Sequence, residues 1–302
     1  MPIEIQQVPA DKPVRPGDLV QFTFANPVTA YAIGISAFKL TYGADDHWIQ
    51  SLMIKILPTQ NAALGASSNQ VNAQVQMVIQ DDSGHTVDVA DAYIYPVCIA
   101  VTGSPQNNTV VGSAIGIASG TSQQVTMPSQ RNLYSIATCF QSGFNLSFTK
   151  DDHQLLQATA ACALTYAGQS GQISASANLR DASGNQVQVA TVDAGYIVTS
   201  SPTPGMGVAE VINVGGDSVP MSPVHMTTMP SVSSAAVFIR SWHVQFQSVH
   251  NVQTISVGAW NGLEISGNTV TIPALWSHMN DASPNMQDPG SSYCDALVIA
   301  VP

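Results

Sequence analysis

A repeat of about one hundred residues constrains this chain more than any other feature. Asp81-Asp82-Ser83-Gly84 returns as Asp181-Ala182-Ser183-Gly184 and again as Asp281-Ala282-Ser283-Pro284. The closing segments keep the same register: Val97-Cys98-Ile99, Ile197-Val198-Thr199 and Leu297-Val298-Ile299. A second signature lies earlier in each copy, an aromatic-x-aliphatic-x-aromatic run followed by a polar loop with a histidine. Copy one has Phe38, Leu40, Tyr42 and then Asp45-Asp46-His47; copy two has Phe144, Leu146, Phe148 and then Asp151-Asp152-His153. Copy three has Trp242, Val244, Phe246 and then Ser248-Val249-His250, one residue shorter. Two signatures in one order, three times over, define three units: 1–103, 104–201 and 202–302. Turn-forming residues mark both junctions, Gly103-Ser104-Pro105 and Ser201-Pro202.

Periodicity sets the fold class. Val71, Ala73, Val75, Met77 and Ile79 alternate with Asn72, Gln74, Gln76 and Val78, and Ile173, Ala175, Ala177 and Leu179 alternate with Ser174, Ser176 and Asn178. A period of two with polar partners describes half-buried strands. No long segment carries a 3.6-residue apolar stripe, and a Thr-, Val- and Gly-rich composition opposes helix. The expectation is an all-β protein of three tandem β-sandwich-like repeats. Separate sandwiches and a pseudo-threefold assembly around one core both satisfy the pattern. Copy three diverges most: Pro284 replaces the turn glycine, Pro273 breaks the alternating strand, and Trp260 and Trp276 are extra. A diverged end copy suits capping or a specialised binding surface.

Composition narrows function. Charged residues are only 9% of the chain, while hydrophobic residues are 45%, so a core is available and the surface is polar but uncharged. The formal net charge is −11, and the Lys and Arg residues are scattered. Nucleic acid and anionic lipid are therefore disfavoured partners. No apolar run reaches the roughly 18 residues of a spanning helix. The start, Met1-Pro2-Ile3-Glu4-Ile5, lacks the basic and apolar regions of a signal peptide. That predicts cytoplasmic synthesis, with any release by a non-classical route.

The candidate ligand-binding residues are the repeated loops and the tryptophans beside loops: Asp45, Asp46, His47, Trp48, Asp151, Asp152, His153, His250 and Trp276. Carboxylates and imidazoles can bind a divalent metal, although adjacent residues on extended backbone point apart and a site needs ligands from a second loop. No cofactor is indicated, and any metal is left unassigned. The Asp-x-Ser-Gly motif reads as a structural turn, since it lacks the spaced oxygen ligands of a calcium loop. No nucleophile elbow or phosphate-binding loop is present, so a non-enzymatic role is expected. If Phe148 and His153 faced each other across a hairpin, Cys139 would lie opposite Cys162, within disulfide reach.

The leading functional expectation is a β-repeat binding protein that recognises carbohydrate or a protein surface through its loops, with tandem copies raising avidity. The alternative is a self-assembling structural protein such as a fibre, shell or crystalline inclusion, in which the apolar ends Ile3-Glu4-Ile5 and Leu297 to Val301 dock on neighbours. A second alternative is a toxin or virulence component.

Overall fold

The computed structural model describes residues 3–59, 68–103, 108–128, 134–200, 205–259, 262–283 and 287–302. Ser104-Pro105 and Ser201-Pro202 of the repeat junctions, as well as Trp260 and Pro284, lie outside these residues. Twenty strands lie among the described residues. Copy one supplies β1 (Ile3–Gln7), β2 (Leu19–Thr23), β3 (Val28–Thr41), β4 (Ser51–Pro58), β5 (Gln70–Gln80) and β6 (Tyr93–Thr102). Copy two supplies β7 (Thr109–Ala118), β8 (Ser122–Val125), β9 (Ile136–Ser147), β10 (Leu155–Ala167), β11 (Ser170–Arg180) and β12 (Val189–Thr199). Copy three supplies β13 (Gly207–Val214), β14 (Val224–His225), β15 (Ser234–His250), β16 (Thr254–Ala259), β17 (Glu264–Ser266), β18 (Thr269–Thr271), β19 (Leu275–Asn280) and β20 (Tyr293–Val301). The alternating segments are half-buried strands as their period requires: Val71, Ala73, Val75, Met77 and Ile79 all turn inward from β5. Among the described residues no helix is long and apolar enough to cross a membrane.

The sheets do not respect the repeat boundaries. One runs β1-β6-β3-β16-β19, the next β13-β20-β15-β10-β11-β8, and the third β2-β5-β4-β9-β12-β7. Each therefore joins the first, last and third strands of one copy to the fourth strand of another and that strand's antiparallel partner in its own copy, which is β5, β11 or β19. Copy one gives its β4 half to copy two, copy two gives β10 to copy three, and copy three gives β16 to copy one. The exchange is cyclic, so the copies are sandwich-like but share one pseudo-threefold core. A small sheet, β14-β18-β17, is peculiar to copy three and precedes Pro273.

The aromatic signature marks the axis. Phe38, Phe144 and Trp242 are fully buried, with ring centroids 5.5, 5.6 and 5.3 Å apart, a nearly equilateral triangle with one ring from each copy. Tilted and edge-to-face rings at this spacing are favourable beyond their buried area. A β-bulge lies at the same place in each long strand: pairing skips Ser36 in β3, Ser142 in β9 and Arg240 in β15, two residues before the triangle. Gln141 ties copies two and three inside the core. Its Nε2 donates to the Ala160 and Arg240 carbonyls at 2.7 and 3.1 Å, and its Oε1 accepts from Trp242 Nε1 at 3.2 Å.

Four residues before the triangle the symmetry is broken for a packing reason. Copies two and three carry Phe140 and Phe238, whose centroids lie 4.4 Å apart, and copy one carries Gly34. A Cβ on Gly34 would sit 2.6 Å from each of those rings. Two phenyl rings already fill this layer, which leaves the third copy room for no side chain.

Two expectations change. Strands β9 and β10 form no hairpin but belong to different sheets, because the segment between them crosses from one sheet to the next. Cys139 is paired in register with Tyr196, and Cys162 with Ala175. The two thiols still meet, across the interior between sheets: hydrogen bonding to Cys139, then burial, pushes Cys162 well above the ordinary thiol range. All four cysteines are buried and free. Of the two apolar end segments, the last is interior to its sheet, whereas the first, β1, forms a sheet edge. Ile3 and Ile5 are buried where β1 pairs with β6, and Leu297 to Val301 lie in β20, between β13 and β15.

Candidate functional site

The two repeat signatures, about thirty residues apart in sequence, meet in each copy. The loop histidine pairs with the turn aspartate: His47 Nδ1 lies 3.5 Å from Asp81 Oδ2, His153 Nδ1 3.0 Å from Asp181 Oδ2, and His250 Nδ1 3.1 Å from Asp281 Oδ2. Each imidazole also packs on the last aromatic of its own signature. The centroid distances are 4.9 Å for Tyr42–His47, 4.4 Å for Phe148–His153 and 5.0 Å for Phe246–His250. The aspartates are buried because they close the turn from inside. Asp81 Oδ1 accepts the His85 N–H at 2.8 Å and Asp181 Oδ1 accepts the Asn185 N–H at 2.9 Å. Gly84 and Gly184, with φ of 98° and 86°, complete these turns where an L side chain would be strained.

The same histidines stitch the copies together. His47 bridges to Val252, His153 to Ile49, and His250 pairs with Leu155. Each histidine thus meets a residue of another copy, two positions beyond that copy's own histidine, in a closed ring of backbone pairing. Ile49, Leu155 and Val252 are fully buried. The second aspartate of each loop reaches across as well. Asp46 Oδ1 accepts from Asn251 Nδ2 at 3.1 Å, and its Oδ2 accepts the Ala282 N–H of the copy-three turn at 2.9 Å. Asp152 makes the matching bond to the backbone of Asp82 in the copy-one turn, where it also meets the Asp82 carboxylate. Burial, and then that neighbouring carboxyl, push Asp152 above the ordinary carboxylate range despite the backbone bond. Copy three has Val249 in this position and makes no such clamp.

The predicted site residues thus separate by role. Asp46, His47, Asp152, His153 and His250 come together, but with partners that hold turns and copies in place. Asp45 and Asp151 are exposed. Trp48 is 47% exposed, beside the turns of copies one and two. Trp276 does not stand beside an open loop: it is buried, and its indole N–H donates to Ser256 Oγ at 2.8 Å. The residues that sequence reasoning left out are Asp81, Asp181 and Asp281, treated only as turn formers, and His85. The recurrence of the aspartates every one hundred residues, each after a histidine loop, was the available signal; His85 has no counterpart in the other copies.

Electrostatics predicts how one pair responds to pH. Burial opposes ionisation of Asp181. The side-chain and backbone hydrogen bonds from Asn185 and the charge of His153 outweigh it and hold the carboxyl below its ordinary value. A depressed carboxyl contributes stability that is full above the unfolded pKa, about 3.9, and is lost as pH falls through the folded value. Asp181→Ala also removes the acceptor for Asn185, Ser183 and His153, so it should lower stability at neutral pH by about 1–3 kcal/mol. Urea unfolding across pH should show the gap from wild type narrowing below about pH 4. A gap that widens there would contradict this assignment.

Comparison with known proteins adds little. No protein-family model matches the chain, and no curated protein matches. Among solved structures, one described as "The Triple Jelly Roll Fold and Turret Assembly in an Archaeal Virus" aligns over 99% of this chain and 88% of that one, at 10% identity and a TM-score of 0.17. A TM-score that low carries no argument about this protein.

Proposed function

We propose that this chain is a non-enzymatic structural protein that assembles with copies of itself through its sheet edges. The observation that supports this most directly is β13, an edge strand that pairs with β20 through eight residues without a bulge. Ile212 and Val214 on it are 56% and 67% exposed. Natural edges are usually blunted by Lys, Pro or a bulge, and β13 has none of these. Its one charge, Glu210, is already paired with Arg240. Leu19 on β2 and Ile115 on β7, the two edges of another sheet, are also exposed apolar side chains. The formal net charge of −11 opposes association, so assembly should strengthen as salt screens it.

The glycan reading has less to stand on. Trp276 is internal, and most of the loop residues that would have bound hydroxyls are engaged in turn closure and in bonds between copies. Nothing particular favours a toxin.

Light scattering with electron microscopy over a range of concentration tests the proposal. The wild type is expected to form ordered particles or filaments. Ile212→Lys/Val214→Lys should stay near the monomer mass of 31.7 kDa. A wild type that remains monomeric at every concentration overturns assembly, and a double-lysine variant that assembles normally removes β13 from it.

A further inference from the structure

Copy one departs from the shared Asp–His arrangement in a direction that the other copies do not. Its turn reads Asp81-Asp82-Ser83-Gly84-His85, where copy two has Asp181-Ala182-Ser183-Gly184-Asn185 and copy three has alanine and asparagine at the same two positions. Both differences replace a side chain that rarely binds metal with one that commonly does. The folded chain brings the added groups together. His85 stacks on His47 with ring centroids 3.8 Å apart and planes 22° from parallel. Both Nδ1 atoms face one oxygen, Asp81 Oδ2, at 2.5 Å for His85 and 3.5 Å for His47. One ligand atom from each of His47, Asp81 and His85 lies within 4.8 Å of the others. Asp46, Asp82 and Asp152 line the same open pocket, of about 340 Å³, with Asn251 and Trp48.

We propose that His47, Asp81 and His85 bind one divalent transition-metal ion, of the zinc or cobalt type, at the copy-one turn. Two imidazoles and a carboxylate are the donor set that such ions favour over calcium or magnesium, which prefer all-oxygen sites. Metal–ligand bonds of about 2.0–2.2 Å in a tetrahedron place the ligand atoms roughly 3.3 Å apart. His47 Nδ1 already has that separation from Asp81 Oδ2, and His85 needs to withdraw by less than about 1 Å. The fourth position faces the open pocket, within which Asp82 and Asp152 add negative charge. Copy two cannot form the site, because Asn185 Nδ2 donates to Asp181 Oδ2 at 2.8 Å where the second imidazole would stand. The site is independent of assembly through β13.

Calorimetric titration of the full chain with Zn²⁺, and with Co²⁺ followed by visible absorption, tests it. One ion per chain is expected, with cobalt bands typical of low coordination and a rise in Tm on binding. His85→Asn, which installs the residue copy two already carries, should weaken binding at least about 100-fold. Its own Tm without metal reports whether it is folded. His153→Asn, in the corresponding pair of copy two, should leave stoichiometry and affinity unchanged. The proposal is overturned by no saturable binding, by three ions per chain, by unaltered affinity in folded His85→Asn, or by equal loss in His153→Asn.

Discussion

Trp242→Ala should lower the unfolding free energy by about 4 kcal/mol, near the upper end for a large-to-small core change. Three losses combine. The indole is fully buried and touches a ring from each of the other copies, so truncation opens a cavity on the axis rather than at the rim of one repeat. The edge-to-face contacts with Phe38 and Phe144 disappear. Gln141 Oε1, buried in the core, also loses the Trp242 Nε1 donor. Trp242→Phe keeps a ring but not the N–H, and should cost about 1–3 kcal/mol, the cost of an unsatisfied buried acceptor plus a smaller void. Chemical denaturation of the two variants separates packing from hydrogen bonding. Equal losses would mean that the ring itself contributes little.

The second large effect is at Gly34. Gly34→Ala adds one methyl group, yet it should destabilise by about 2–3 kcal/mol, because overpacking forces buried side chains off their rotamers. The new Cβ would stand 2.6 Å from both Phe140 and Phe238, closer than real Cβ atoms come to any neighbour. Gly34→Phe, which makes the three copies more alike, should prevent folding altogether. Shrinking one of the rings should relieve the clash, so Gly34→Ala/Phe238→Leu should recover part of the loss, with a coupling of about 1 kcal/mol in a double-mutant cycle. Purely additive effects would mean that positions 34 and 238 do not share a layer.

Much of the local structure is legible in the chain. The period-two patterns of β5 and β11 become half-buried strands, and the turns at Asp81 and Asp181 keep their hundred-residue register. The long-range connections are not legible. Nothing in Thr149 to Gln154 reveals that the chain leaves one sheet for another, because alternation records which face of a strand is buried and not which strand lies beside it. A hairpin was the simplest assumption for Cys139 and Cys162, and it failed on that point. The thiols meet through face-to-face packing, which follows different rules from strand register. The histidine loop and the aspartate turn were both visible as repeats, but their pairing depends on the fold that joins them. Trp276 shows the converse difficulty: a tryptophan next to loop-like sequence can still point inward when a serine is placed to accept its N–H.

The cyclic exchange of half-sheets also bears on how the protein unfolds. No copy holds a complete set of paired strands by itself. β4 borrows β9 as a neighbour, β10 borrows β15, and β16 borrows β3. Opening one copy exposes the axis to all three. Differential scanning calorimetry of the intact chain, under conditions that keep it dispersed, tests this directly. A single transition is predicted, with calorimetric and van't Hoff enthalpies equal within error, as for one cooperative unit of this length. Two or three resolved transitions, or a calorimetric enthalpy about three times the van't Hoff value, would mean that the copies fold independently and would contradict the shared core.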